Sequence, residues 1–265
     1  MTSLRLPHFI IGGAPRSATT WLHALADRHP ALAMAKPVTP EPKFFLVDEL
    51  YERGLAFYST TWFAGLPANR LLGEKSTNYL ESSRAAERIR RDLPGVRLVF
   101  MLRNPVDRAW SNYCWSCQNG LEAESFATAL ALEEERDRGA EDRFRFSRPH
   151  AYFSRGCYAD LLAAYLAIFP RAHILVLRSE DAVDDPAGLA VRLHGFLGVE
   201  PRPQDVDGLG MVNAIGRSEP LDAAIRRQLV ARYGEPNRRL AGLLGPQFEP
   251  WSAEAAHPVL AEPSS

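Results

Sequence analysis

Three groups of residues in this sequence have the types and spacing that suit chemistry on an anionic ligand. The first is the run His8-Phe-Ile-Ile-Gly-Gly-Ala-Pro-Arg-Ser-Ala-Thr-Thr-Trp-Leu22. Apolar Phe9 to Ile11 reads as a buried strand, Gly12, Gly13 and Pro15 break it, and a helical pattern begins at Ser17. A strand, a tight turn and a helix start aim orphan backbone N–H groups and the positive end of the helix dipole at one point, which binds anions. The pattern is not that of a nucleoside-triphosphate P-loop. Counted from Gly13, that motif needs glycine and lysine where this chain has Ala18 and Thr19. Its basic residue, Arg16, sits earlier, inside the turn.

The second group, Leu102-Arg-Asn-Pro-Val-Asp-Arg-Ala-Trp-Ser-Asn-Tyr113, follows the clearest strand in the chain, Val96 to Leu102. A P-loop nucleotidase places a metal-binding acid at this point. Arg103 stands there instead, and a cation favours an anion over a metal. The third group is Pro40-Glu-Pro-Lys-Phe-Phe45. Prolines on both sides hold Glu41 in an extended segment, and a carboxylate in a partly desolvated cleft suits the removal of a hydroxyl proton. His23 and His29 are rival bases, with a surface or core role the reading for His23 on the first helix.

Gly-Ala-Pro-Arg-Ser-Ala-Thr-Thr-Trp-Leu resembles the 5′-phosphosulfate loop of sulfotransferases that use 3′-phosphoadenylyl sulfate (PAPS), whose loop commonly reads Pro-[Lys/Arg]-x-Gly-Thr-Thr. The resemblance implies that Arg16 and the backbone of Ser17, Ala18, Thr19, Thr20 and Trp21 hold the 5′ end of the donor. Glycine is usual where this chain has Ala18, and the methyl group is expected to narrow the approach to the phosphate. Arg103 and Ser111 match the family's 3′-phosphate motif, an arginine in Arg-[Asn/Asp]-Pro with a serine eight residues on. Glu41 matches the glutamate ahead of the His/Lys-Phe-Phe element in carbohydrate sulfotransferases and is the implied base. Lys75, in Gly73-Glu-Lys-Ser-Thr-Asn-Tyr79, is implied to face the acceptor or the sulfate, with Glu74 structural. Tyr158, in Arg155-Gly-Cys-Tyr158, is a candidate adenine contact or a core residue. Gly216 and Arg217, in Asn213-Ala-Ile-Gly-Arg217, fall where the family has a basic loop closing over the nucleotide. The resemblance spans Phe9 to Trp251. It implies PAPS as co-substrate, adenosine 3′,5′-bisphosphate as product, no metal, and a hydroxylated small-molecule or carbohydrate acceptor.

The elements that must position these residues alternate. Strands are expected near 9–11, 70–76, 96–102 and 173–177, with helices after Ser17, from Asp48, from a cap at Ser82 or Ser83, from Asn104 and Ser125, over 158–169, around 186–196, and over 221–233 and 235–244. Strands alternating with helices mean a mostly parallel sheet covered on both faces, with ligands at the carboxyl ends of the strands. The expected fold is thus α/β, a P-loop-like three-layer domain over 1–265, its last dozen residues loosely ordered.

Composition bounds the partners. A net charge of −1 over 265 residues gives no general attraction to nucleic acid or membranes. No apolar stretch is long enough to cross a bilayer, and no basic-then-apolar leader follows Met1, so a cytoplasmic enzyme is expected, unlike the family's Golgi-anchored members. Cys114, Cys117 and Cys157 make no disulfide framework, and Cys114-Trp-Ser-Cys117 reads as two small side chains packed in a helix. Arg143, Arg145, Arg148 and Arg155 read as a basic solvated loop, with an acidic acceptor as their alternative use. Two rival functions stay open: a nucleoside or small-molecule kinase with a degenerate P-loop, and a nucleotide-binding module without catalysis. Oligomeric state is not legible.

Overall fold

Apolar runs bury both faces as parallel strands, and five parallel strands build the central sheet, four of them mostly apolar and one ending in Glu74-Lys75. These are β1 (Phe9–Gly13), β2 (Leu32–Met34), β3 (Leu71–Lys75), β4 (Arg97–Leu102) and β5 (Ile174–Arg178), in spatial order β2-β3-β1-β4-β5. Each neighbouring pair is parallel. The computed structural model describes residues 4–210, 220–249 and 251. The helices are α1 (Thr19–Arg28), α2 (Asp48–Tyr51), α3 (Gly54–Trp62), α4 (Ser83–Asp92), α5 (Pro105–Gln118), α6 (Phe126–Arg138), α7 (Tyr158–Ile168), α8 (Asp181–Asp184), α9 (Pro186–Leu197) and α10 (Ala223–Leu244).

The chain divides into two compact units, 1–102 with 163–212 and 103–162 with 213–265. The first holds the sheet. Phe9, Ile11, Val99 and Met101 turn to one face and pack with Trp21, Leu22 and Leu25 of α1 and Leu189, Leu193 and Leu197 of α9. On the opposite face Phe100 meets the ring of Tyr165, with centroids 4.9 Å apart. Tyr165 in turn donates to the Tyr79 carbonyl at 2.6 Å. Register places Ile10 beside Glu74 and Ile11 beside Lys75. Because side chains alternate along a strand, these two ionisable residues leave β3 on opposite faces.

The second unit is helical. Asn104 caps α5 by accepting from the Val106 N–H at 3.0 Å, with Pro105 at the first helical position. Val106, Ala109, Phe126, Ala129, Tyr152, Leu229 and Tyr233 form its core. Asp107 pairs with Arg226 of α10 at 2.7 Å.

Several expectations need correction. β2 and α8 were not foreseen, being three and four residues long. The aromatic stretch after Asp48 is two helices, separated where Gly54 takes φ +78°. The two helices expected over 221–244 are one, α10, which runs through Pro236. Gly216, Arg217 and the chain's last dozen residues lie outside the described residues.

Candidate active site

The candidate phosphate loop leaves the carboxyl end of β1. The β1–β4 register shifts between Ile11 and Gly13, and the Ala14 N–H donates to the Met101 carbonyl at 2.8 Å. A Cβ on Gly13 would stand 2.6 Å from Leu80 Cβ and 3.1 Å from the Thr77 carbonyl oxygen, so only glycine lets these segments meet. Arg16 and Ala18 take left-handed backbone, φ +68° and φ +54°, before α1 begins at Thr19. Such alternation turns successive N–H groups inward as an anion nest. No side chain caps α1, and its first turn carries no acid. The Ser17 side chain is fully buried, and its hydroxyl has no partner among the described residues. A buried hydroxyl without a partner inside a nest fits a phosphate or sulfate oxygen. The Trp21 ring is in the core.

The departure at Ala18 also has a conformational side, since the residue sits in left-handed backbone. An L-residue in the left-handed region costs about 1–2 kcal/mol, and glycine's greater unfolded entropy returns part of the gain. Ala18→Gly is expected to raise stability by about 0.5–1 kcal/mol. Thermal unfolding should show a Tm higher by roughly 1–4 °C.

At the neighbouring strand end stands Glu41. Lys75 Nζ lies 2.5 Å from its Oε1, and the two side chains keep only 5% and 12% of their surface exposed. The Thr77 N–H donates to Oε2 at 3.0 Å, and the Thr77 hydroxyl reaches both oxygens at 3.1–3.2 Å. The carboxylate is thus aimed by three groups, the Lys75 ammonium and the Thr77 N–H and hydroxyl, and Thr77 brings it close to Gly13. The expected role of Lys75 was toward the acceptor or the sulfate, and here its ammonium meets Glu41; Thr77 was not foreseen, and nothing in its sequence context signals it.

Glu74, the other carboxylate here, is fully buried. Tyr58 and Tyr79 donate to its Oε1 at 2.7 and 3.1 Å, and Ser76 donates to its Oε2 at 2.9 Å. Burial, with the Glu41 charge as a smaller contribution, raises its pKa to about 7 against the hydroxyl bonds that lower it.

In the helical unit Arg103 follows directly on Leu102. Its backbone is held by Tyr158, whose hydroxyl donates to the Arg103 carbonyl at 2.9 Å. Tyr158 and Ser111 are both buried. Tyr158 thus serves Arg103 from the core.

The rival histidines are occupied. His23 is buried with Nε2 3.3 Å from the Ala35 carbonyl, and burial lowers its pKa. His29 lies with His194 and Asp205, a trio with metal-ligand side chains. However, His29 Nδ1 accepts from the Ala31 N–H and its Nε2 faces the Glu200 carbonyl. His194 Nδ1 accepts from the Arg202 N–H. In each ring Nδ1 is thus engaged by a backbone N–H. Burial and the neighbouring His29 hold the His194 pKa at about 4.

The arginines expected in a solvated loop are partly structural. Arg155 is buried on the Ser147 carbonyl, and Arg148 pairs with Asp137 at 2.5 Å. The Arg143 side chain lies outside the described residues. Cys114 and Cys117 fall within α5, but Cys117 is exposed rather than packed.

An anion nest at β1 beside a held carboxylate at β3 is the layout of a group transferase acting on a phosphorylated or sulfated donor. The chain belongs to the sulfotransferase family: the family's sulfotransferase-domain model matches residues 6–209. As a member it moves a sulfuryl group from PAPS to an acceptor hydroxyl, leaving adenosine 3′,5′-bisphosphate. It is 32% identical over 265 residues to a human heparan sulfate glucosamine 3-O-sulfotransferase 6, covering 92% of this chain and 73% of that one. It is 27% identical to a human bifunctional heparan sulfate N-deacetylase/N-sulfotransferase 3, of which it spans 30%. A solved sulfotransferase from Alicyclobacillus acidocaldarius superposes with a TM-score of 0.73 at 27% identity, covering 91% of this chain and 96% of that one. Among the described residues no helix is long and apolar enough to cross a membrane.

Proposed function

We propose that Glu41 is the general base of a sulfuryl transfer to a carbohydrate hydroxyl, in a single sulfotransferase domain over 1–265. The observation that carries this is the Glu41 carboxylate held by Lys75 and Thr77 at the end of β3, beside the strand that feeds the phosphate loop. Glu41 takes the acceptor proton as the hydroxyl oxygen attacks sulfur in line. Neutralising Glu41 leaves the Lys75 ammonium without its counter-charge, available to the sulfuryl oxygens. Arg16 and the nest from Ser17 to Thr20 stabilise charge that develops on the departing 5′-phosphate, a preorganised electrostatic contribution. Arg103 and Ser111 are assigned the 3′-phosphate through a charge-assisted bond and a hydroxyl. A carbohydrate acceptor is supported by the heparan sulfate relatives. The absence of disulfides at all three cysteines fits a reducing compartment, and we assign the enzyme to the cytoplasm.

Calorimetry with adenosine 3′,5′-bisphosphate and with ATP–Mg²⁺ tests the donor. The bisphosphate is expected to bind the tighter of the two. Preference for ATP–Mg²⁺ would overturn the reading in favour of a kinase.

A further inference from the structure

Glu74 is unusual because among the described residues its buried carboxylate has hydroxyl partners and no cation. A buried charge without a counter-ion is costly compared with an amide or an apolar side chain. What an ionised carboxylate offers here is direction, since it accepts hydrogen bonds and donates none. Ser76 gives its proton to Glu74, and its oxygen accepts from the Lys43 N–H at 2.9 Å. Tyr79 gives its proton to Glu74, and its oxygen accepts from the Phe45 N–H at 3.2 Å. Both N–H groups belong to the loop that carries Glu41, and Lys43 there takes left-handed backbone, φ +49°.

We infer that Glu74 is a positioning residue for the base: by accepting from Ser76 and Tyr79 it turns both hydroxyl oxygens toward the Lys43 and Phe45 amides and so fixes the Glu41 loop. The inference rests on the reading of Glu41 as base. A glutamine at 74 breaks the scheme in either orientation. With its NH₂ toward Ser76, the serine proton loses its acceptor. With its NH₂ toward the tyrosines, two phenols lose theirs. Protonation of Glu74 has the same effect on one hydroxyl.

The groups that face Glu74 are Tyr58 from α3, Tyr79 and Ser76 from the β3 exit, and Glu41 across the loop. Lys75 leaves β3 on the other face. Arg88 of α4 reaches the Phe45 carbonyl at 3.2 Å and Asp48 at 2.6 Å. No group among these offers Glu74 a counter-charge, so its proton uptake falls near neutrality and below, at about 7.

Amide hydrogen exchange of the 42–46 segment reads the tethers without any substrate. After correction for the intrinsic rate, the wild-type enzyme is expected to lose protection at Lys43 and Phe45 between about pH 8 and pH 6, either side of the Glu74 ionisation. Glu74→Gln should exchange fast at both pH values. In turnover, Glu74→Gln should lower kcat by roughly 10–100-fold, the scale of a small misplacement of a reacting group. It should also remove the ionisation near neutrality from the kcat–pH profile, while affinity for adenosine 3′,5′-bisphosphate holds. Ser76→Ala and Tyr79→Phe, one tether each, should fall between. Protection at Lys43 and Phe45 that ignores both pH and the substitution would overturn the proposal. So would loss of turnover in Glu74→Gln with protection intact, which would make Glu74 itself a proton carrier. If Glu41 is not the base, Glu41→Gln keeps its activity, and the exchange measurement still decides the tether. The wild-type pH comparison needs no variant to fold.

Discussion

Glu41→Gln is expected to lower kcat by about 10²–10⁴, the contribution of a positioned acid–base group. The substitution keeps shape and volume. Its amide oxygen still accepts from Lys75 or Thr77, as Glu41 does now, so the loop stays in place. What disappears is the lone pair that takes the acceptor's proton. Affinity for adenosine 3′,5′-bisphosphate should hold, because the phosphate contacts are assigned to the loop at Arg16 and to Arg103. Steady-state kinetics beside calorimetry on the same preparation separates the two. Turnover equal to wild type would remove Glu41 from the mechanism, and a matching loss of nucleotide affinity would show that its role is to bind.

Arg103→Ala carries the second large effect. Hydrogen bonds to charged groups are worth about 1.5–3 kcal/mol, so the bisphosphate should bind roughly 10–150-fold more weakly. The Tyr158 hydroxyl grips the Arg103 carbonyl rather than its guanidinium, so the backbone stays anchored in the variant. Adenosine 5′-phosphosulfate lacks the 3′-phosphate and should lose far less. Equal losses for the two nucleotides would take Arg103 away from the 3′-phosphate.

Legibility followed the physical strength of each local signal. β4 is nearly all apolar, and Asn104-Pro105 caps the helix after it, so both were readable. β2 has only Leu32, Ala33 and Met34, too few residues to display a period. Pro236 reads as a break because it removes an N–H and crowds the preceding turn. Yet Leu229, Tyr233, Leu240 and Leu244 are all buried, and tertiary packing of that continuous face carries the helix past it. In the site, Glu41 and Lys75 were legible as residue types. Their pairing was not, because it joins positions 34 residues apart through a loop without periodicity. Glu74 was read as structural, and its tie to the Glu41 loop depends on Tyr58, Ser76 and Tyr79, hydroxyls that no spacing rule assigns to a carboxylate. Ala18 was read for its methyl group at the ligand, and its left-handed backbone angle was not legible from its neighbours.

The strand order also constrains the sequence of events during synthesis. Of the five strands β1 emerges from the ribosome first but lies inside the sheet, with β3 on one side and β4 on the other. The β3 edge is filled once residues 71–75 are available, while the other edge waits for residues 97–102. Until then Phe9, Ile10 and Ile11 present an unpaired, uncharged strand edge, the feature that folded proteins otherwise blunt with charge or cover. Any nascent or proteolysed fragment ending before Arg97 therefore carries an unpaired strand edge open to misassociation.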